Sequence, residues 1–263
     1  MLLDPRNGTA LDLPRYAGTP RVYVIASSPR SGSTLLCRGL WATGRLGAPS
    51  EYLNPMQVRD WQVRLGATTA QRAMHWLMRG PLVGLAGRGW WSRERFCALL
   101  RAVMARRTSA TGWFGLKIHH HHWVRWEHRA LTELLPVTRW IWIRRRDRVA
   151  QAVSWARAVQ TGQWVAGQPL RGPPVYCRRH IAHRLAQIHA AESFWEQTVA
   201  RRGVAPVQVD YEALVTDWPG EIHRICAALG EPAVAVGPKP LAPQADARSK
   251  AWIARFKRDL TRS

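Results

Sequence analysis

The chain has 263 residues, enough for one domain with a substantial core, and its formal net charge is +22. No run of about 18 apolar residues is present, which argues against a membrane-spanning helix. The first 20 residues contain Pro, Gly and two Asp but no apolar core of a signal peptide, so the sequence predicts a cytosolic protein. The four Cys are widely separated and lack the spacing of metal ligands.

The positive charge comes almost entirely from arginine, because all but four of the 39 Lys and Arg residues are Arg. A field of this sign favours anionic partners, which include a nucleotide with several phosphates, nucleic acid and an acidic membrane surface. An Arg-rich coding bias would give the same composition. The charge alone therefore does not choose among these partners.

The first predicted element is a strand over residues 22–27, which leads through a short polar loop into a helix over 33–43. Residues 1–20 are predicted to be an irregular lead-in, and 21–263 a single domain. Backbone N–H groups and the helix dipole meet at such a junction and favour a phosphate-like anion. The loop lacks the Lys of a Walker A motif, which favours an anion that needs no Mg²⁺. The alternative is a Gly/Ser turn that merely joins strand to helix.

A loop over residues 44–55, rich in Gly and Pro, contains a single carboxylate, Glu51, followed by Tyr52. An acid about twenty residues after a phosphate loop can fold back to the mouth of the same crevice. There it could serve as a general base for a hydroxyl. The competing interpretation is a surface Glu that pairs with one of the many Arg side chains.

The middle of the chain predicts helices over 55–65, 68–78 and 92–107, the first with Asn54 as its cap. An apolar run over 111–118 predicts a second buried strand, and four consecutive His residues follow it, beginning with His119. The carboxyl end of a parallel strand is the ligand-binding edge of a sheet, so His119 is a candidate for contact with a substrate. A metal site is disfavoured because no other well-spaced ligands accompany the run.

A third strand is predicted over 137–143, followed by three Arg and by Asp147 as the cap of a helix over 148–161. Arg146 at the strand end and Ser154 eight residues later can hold one anion from two sides. The alternative is a basic surface turn with an incidental Ser. The remaining predicted elements are helices over 176–201 and 218–229, a short strand near 207 that runs into a helix, and a basic helix from 248.

Four segments resemble, in order and spacing, the bacterial trehalose 2-sulfotransferase family. They are residues 29–36 (PRSGSTLL), 49–52 (PSEY), 114–118 (FGLKI) and 145–155 (RRDRVAQAVSW). The last continues to residue 162, and residues 211–214 are similar to a segment shared by sulfotransferases more widely. The resemblance extends over about residues 22–260.

The resemblance implies a P-loop-type α/β fold of three layers, with a central, mainly parallel sheet flanked by helices. It implies that 3′-phosphoadenosine 5′-phosphosulfate (PAPS) donates a sulfuryl group to a hydroxyl of a carbohydrate-like acceptor (trehalose or a glycolipid) or of another small molecule. It also implies a homodimer and no metal requirement. Two departures, Leu53 in place of an aromatic residue and the His run, lie near the expected acceptor pocket and leave the acceptor open.

The same resemblance implies a role for each site residue. Glu51 matches the general base, and Arg30 stabilises charge on the leaving phosphate oxygen as a second catalytic group. The predicted acceptor site includes Tyr52, which follows Glu51, and His119, which is assigned from its position at the end of the second strand rather than from the resemblance. The residues implied to bind the 5′-phosphosulfate are Arg30, Ser31, Gly32, Ser33 and Thr34, and those implied to bind the 3′-phosphate are Arg146 and Ser154.

Three other functions stay open at this point. A P-loop-type kinase would need a loop Lys and Mg²⁺ ligands that the sequence does not show. A basic, Trp-rich nucleic-acid-binding protein would bind with steep salt dependence, although no specific nucleic acid is predicted. An inactive binding module that keeps only the cofactor loop is the third.

Overall fold

Four strands form one sheet: β1 (Arg21–Ser27), β2 (Trp113–His119), β3 (Val137–Arg144) and β4 (Val207–Asp210). Their order is β2-β1-β3-β4, and β3 pairs in parallel with β4, with Ile141 opposite Val207. Strand β2 is buried throughout, and β1 is buried in all but its first residue. Continuous apolar strands of this kind are typical of a parallel sheet with both faces covered.

The molecule is represented by a computed structural model that describes residues 4–66, 93–127, 135, 137–164, 168–240 and 246–261. Its helices are α1 (Ser33–Ala42), α2 (Pro55–Arg64), α3 (Arg93–Arg107), α4 (His120–Glu127), α5 (Arg148–Thr161), α6 (Arg178–Arg201), α7 (Tyr211–Thr216), α8 (Trp218–Ala228) and α9 (Ala247–Thr261). The N-terminal lead-in contains two short 3₁₀ turns, Pro5–Asn7 and Thr9–Leu11. Within these ranges, no helix combines the length and the apolar character needed to span a membrane.

The α/β fold with a central parallel sheet flanked by helices is confirmed, and most predicted elements lie within two or three residues of the observed ones. The predicted helix over 68–78 lies outside the described residues. The His run differs from the expected arrangement: β2 extends to His119, and His120 begins α4. The run is therefore divided between the end of a strand and the first turn of a helix.

Side chains predicted to cap helices occupy those positions. The carboxylate of Asp147 accepts a hydrogen bond of 2.8 Å from the N–H of Ala150 at the start of α5. The side-chain oxygen of Asn54 accepts one of 3.0 Å from Met56 at the start of α2. Gly162 ends α5 with a φ of 70°, in the left-handed region that glycine tolerates.

The chain forms two compact units, residues 1–25 with 40–140 and residues 26–39 with 141–263. In the first unit, Gly47 has a φ of 68° and lies between the carbonyl oxygens of Arg107 and Trp113, where a Cβ would approach each to 2.6 Å. In the second unit, α5, α6 and α9 share a core that includes Ile188 and Phe256. The single domain predicted for residues 21–263 stays a prediction.

Replacing Asp147 by Ala should lower the free energy of unfolding by about 0.5–2 kcal/mol, because the first turn of α5 loses its side-chain acceptor. Urea denaturation followed by circular dichroism measures the change. Asp147→Asn is the matched control, since Asn caps about as well as Asp and should remain close to wild type. An equal loss of unfolding free energy in Asp147→Ala and Asp147→Asn would contradict a capping role.

Candidate active site

The loop between β1 and α1 is tightly turned within the second unit. The N–H of Ser31 donates to the carbonyl oxygen of Ser28 at 3.3 Å. Arg30 has a φ of 65°, and it is the one non-glycine residue with a positive φ in the described part of the chain. This conformation costs a residue with a Cβ about 1–2 kcal/mol, so the surrounding contacts must hold it.

Three side chains from later elements hold this loop. Gln151 on α5 donates from its amide nitrogen to Ser28 Oγ and to the Pro29 carbonyl oxygen, each at 2.8 Å. Trp195 on α6 donates to the Ser27 carbonyl oxygen at 3.0 Å. The ring of Tyr211 on α7 lies so close to Gly32 that a Cβ there would be 2.4 Å from it, which together with the φ of 89° requires glycine.

The guanidinium of Arg30 turns toward α5, where its Nε donates to Ser154 Oγ at 3.0 Å. Its Nη1 donates to the carbonyl oxygen of Trp164. The pKa of Arg30 is lowered to about 10, chiefly by burial and then by the positive charge of Arg145, with an opposite effect of Tyr211 and a smaller lowering by Arg157. The structure thus brings together Arg30 and Ser154, two of the residues proposed from sequence.

Ser31 is fully buried in the same loop. Its Oγ has no hydrogen-bond partner among the residues that the structure describes. A buried hydroxyl without a partner costs about 1–3 kcal/mol. A ligand oxygen at this position would supply the missing hydrogen bond.

The arginines after β3 take different positions. Arg146 is 66% exposed, and its Nε lies 3.6 Å from Asp210 and 3.7 Å from Glu212. The Glu212 carboxylate also accepts hydrogen bonds from the N–H groups of Arg146 and Asp147, at 3.1 and 3.2 Å. The guanidinium of Arg145 instead lies over the ring of Tyr211, 4.8 Å from its centroid.

In the first unit, Glu51 is surrounded by donors. Its Oε1 lies 2.6 Å from Lys117 Nζ and 3.4 Å from His119 Nε2. Its Oε2 accepts a hydrogen bond of 2.8 Å from the Asn54 amide. Lys117 and His119 are two residues apart on β2 and so point to the same face, and Ser50 pairs with Leu116 in a parallel bridge that brings the loop alongside the strand.

Burial and neighbouring charges together set the protonation of this cluster. Burial raises the pKa of Glu51, but the Lys117 ammonium and then His119 outweigh it and hold that pKa well below its usual range. Burial, together with neighbouring imidazoles, lowers the pKa of His121 to about 4 and of His122 to about 2. At neutral pH Glu51 is therefore a carboxylate, and His121 and His122 are neutral rings.

Tyr52 lies in the core under the Glu51 loop. It is fully buried, its hydroxyl donates to the Ala48 carbonyl oxygen, and its ring stacks on Phe114 at a centroid distance of 5.7 Å. The side chain thus supports the loop and has no surface to offer to an acceptor. Leu53 is also buried, and its carbonyl oxygen accepts a hydrogen bond of 2.9 Å from the Trp126 indole.

The family model for the Stf0 sulphotransferases matches residues 22–259. The chain belongs to the Stf0 sulphotransferase family. It is 31% identical to the trehalose 2-sulfotransferase of Mycolicibacterium smegmatis, with 92% of this chain and 97% of the relative aligned. It is 27% identical to the trehalose 2-sulfotransferase of Mycobacterium tuberculosis, with 92% and 96% aligned. A solved sulfotransferase domain from the Synechococcus PCC 7002 olefin synthase matches with a TM-score of 0.43 and 18% identity, over 92% of this chain and 90% of that one.

Several residues of this Stf0 sulphotransferase were not found by sequence reasoning, although signals for them existed. Lys117 is the only charged side chain in the apolar run over 111–118. Gln151 precedes Ser154 by three residues and therefore shares its helix face. Among the described residues, no group of three or more His, Cys, Asp or Glu side chains is placed to hold a metal ion.

Replacing Glu51 by Gln should lower the free energy of unfolding at pH 7 by about 1–3 kcal/mol, because buried Lys117 loses its charged partner. The pKa of Glu51 is lower in the folded chain than in the unfolded chain, where it is about 4.3. The stabilisation is therefore complete above that pH and is lost as the pH falls through the folded pKa. Urea denaturation of wild type and of Glu51→Gln between pH 3 and 7 measures the free energy of unfolding at each pH.

The difference in free energy of unfolding between wild type and Glu51→Gln should be constant from pH 7 to about pH 5 and should shrink below about pH 4.3. The control is the same Glu51→Gln change made in a Lys117→Met background, where the ion pair no longer contributes. The depressed pKa would be contradicted if the stability difference between wild type and Glu51→Gln stayed constant to pH 3. It would also be contradicted if that difference already shrank near pH 6.

Proposed function

We propose that this sulfotransferase moves the sulfuryl group of PAPS to a hydroxyl of a carbohydrate-like or other small acceptor. The observation that supports this most is the loop between β1 and α1, where half-buried Arg30 experiences further positive charge and the buried Ser31 hydroxyl has no hydrogen-bond partner among the described residues. Several buried or half-buried cations favour a ligand with several negative charges. PAPS carries a 5′-phosphosulfate and a 3′-phosphate.

In this proposal the loop binds the reacting end of the donor. Ser31, Gly32, Ser33 and Thr34 hold the 5′-phosphosulfate at the start of α1, where backbone N–H groups favour an anion. Arg30 stabilises the negative charge that develops on the leaving phosphate oxygen. Arg146 and Ser154 hold the 3′-phosphate and so supply binding energy at a distance from the reacting sulfur.

The acceptor hydroxyl oxygen attacks sulfur, an O–S bond forms, the S–O bond to the 5′-phosphate breaks, and adenosine 3′,5′-bisphosphate leaves. The proton of the hydroxyl passes to Glu51, which is ionised and held by Lys117 and Asn54. A carboxylate with a low pKa is a weak base, so it takes the proton only once O–S bonding has made the hydroxyl strongly acidic. The fixed geometry offsets the weak basicity.

A carbohydrate acceptor is supported by the named relatives, both trehalose 2-sulfotransferases. His119, 7% exposed, is proposed to contact that acceptor beside Glu51. Neutral imidazoles such as those of His121 and His122 can each donate one hydrogen bond and accept another, which suits sugar hydroxyls. The His run and Leu53 set this chain apart at the acceptor side, so trehalose is one member of the proposed class rather than a requirement.

The direct test is transfer of ³⁵S-labelled sulfate from PAPS to a panel of trehalose, glucose, glycolipids and phenols, with EDTA and with Mg²⁺. We expect transfer to at least one hydroxyl compound at a rate that EDTA leaves unchanged. Adenosine 3′,5′-bisphosphate should also raise the melting temperature, since a ligand at 100 times its Kd adds about 2.7 kcal/mol of stability. No transfer and no shift would overturn the proposal, and an EDTA-sensitive reaction with ATP would favour a kinase.

Replacing Glu51 by Gln should lower kcat by about 10²–10⁴, because Gln cannot accept the proton. Affinity for adenosine 3′,5′-bisphosphate should stay within about three-fold, because the proposed donor contacts do not include Glu51. Rapid-quench kinetics and calorimetry measure the two quantities. His119→Ala is the comparison: a nearly active Glu51→Gln beside an inactive His119→Ala would assign the proton to His119.

Three finer expectations accompany the proposal and remain predictions. They are a cytosolic location, a homodimer, and contact of the basic surface with acidic membranes. Light scattering and sedimentation with anionic vesicles would measure the second and third.

A further inference from the structure

A cleft of about 230 Å³ in the second unit is lined by Arg144, Arg145, Arg146, Arg148, Glu192 and Asp210. We call it the arginine cleft. Four cations and two carboxylates on one small surface leave a positive balance. The question is which of the four arginines is available to a ligand.

Three of these arginines have protein partners. Arg144 donates to the Gln208 side-chain oxygen at 2.8 Å, and Arg148 donates to Glu192 at 2.7 Å. Arg146 lies beside Asp210 and Glu212. Arg145 makes no ion pair within the described parts of the chain, and its buried Nε has no hydrogen-bond partner there. A buried charged donor in this condition is costly, which indicates a site kept for a ligand.

Arg145 is also the member of the set that reaches the phosphate loop. Its guanidinium lies over the ring of Tyr211, and the same ring lies against Gly32. Its charge is the strongest of the charges that act on Arg30. Arg30 Nε donates to Ser154 Oγ at 3.0 Å. Arg145 and Ser154 therefore both act on the same half-buried cation.

We propose that Arg145 is a further donor-binding residue that engages the 3′-phosphate of PAPS together with Ser154, which rests on the function proposed above. A terminal phosphate carries about −1.5 to −2 charges at pH 7. A guanidinium can make a two-point contact to such a group, and a hydroxyl adds a directional hydrogen bond. The Tyr211 ring, whose centroid is 4.8 Å from Arg145 Cζ, restricts where the guanidinium can lie.

The geometry separates the role of Arg145 from that of Arg146. Arg146 is largely exposed and beside two carboxylates, so its charge is screened by water and by its neighbours. Arg145 is half-buried and carries no such compensation among the described residues. Arg145 should therefore contribute more of the affinity for the 3′-phosphate than Arg146 does.

Calorimetry with adenosine 3′,5′-bisphosphate and with adenosine 5′-phosphate, which lacks the 3′-phosphate, tests the proposal. Arg145→Gln should weaken binding of the bisphosphate about 10- to 100-fold, and binding of adenosine 5′-phosphate less than three-fold. Arg145→Lys should bind the bisphosphate with an affinity between those of wild type and Arg145→Gln, because it keeps the charge and loses the planar fork. Arg144→Gln is the matched control and should bind both ligands as wild type does. Arg146→Gln should lose less affinity for the bisphosphate than Arg145→Gln does.

A second readout separates binding from support of the fold. Removing an uncompensated charge beside Arg30 should leave the melting temperature of the ligand-free protein unchanged or raise it, whereas loss of a structural contact would lower it. Bisphosphate affinity within three-fold of wild type in Arg145→Gln would overturn the proposal. Equal weakening of both ligands would also overturn it, because Arg145 would then act at the 5′ end. If Arg145→Gln does not fold, Arg145→Lys decides by the same criteria.

The wild type distinguishes this proposal from the function on which it rests. A wild-type protein that transfers sulfate and binds the bisphosphate, beside an Arg145→Gln variant without selective loss, would refute the role of Arg145 alone. A wild-type protein that neither transfers sulfate nor binds the bisphosphate would refute both.

Discussion

Half-buried positive charge in the loop between β1 and α1 is the constraint on which the second unit depends. Arg30 is placed in a left-handed backbone conformation and half-buried near other guanidiniums, and each of these features is unfavourable in the free protein. Gln151 and Trp195 hold the loop from two helices, so the fold supplies the stability that the loop itself lacks. Strain that the surrounding structure maintains is typical of binding and catalytic sites, because a ligand can then relieve it.

The first unit handles charge in the opposite way. The carboxylate of Glu51 is paired with Lys117, accepts a hydrogen bond from Asn54 and lies beside His119, so its position is fixed by three neighbours. The same contacts that fix it also lower its pKa and so its strength as a base. The general-base role proposed for Glu51 therefore relies on its position more than on its basicity, because the acceptor hydroxyl becomes acidic as it bonds to sulfur.

Local signals in the sequence were sufficient for the elements and for part of the site. The cap at Asp147 and the strand that precedes the loop both follow from short-range patterns. The orientation of consecutive side chains could not be read in this way. Arg145 and Arg146 are adjacent and chemically identical, and only the packing of Tyr211 and the carboxylates near β4 places one inward and the other outward.

This distinction explains why the net charge of +22 says little about the site. Most arginines near the arginine cleft are satisfied by a neighbouring carboxylate or amide, and such pairs contribute little to stability or to binding when they are exposed. The informative charge is one that lacks a protein partner and is partly removed from water, because there the missing partner costs most. The charge on Arg145, beside half-buried Arg30, therefore indicates the proposed anion site better than the count of basic residues does.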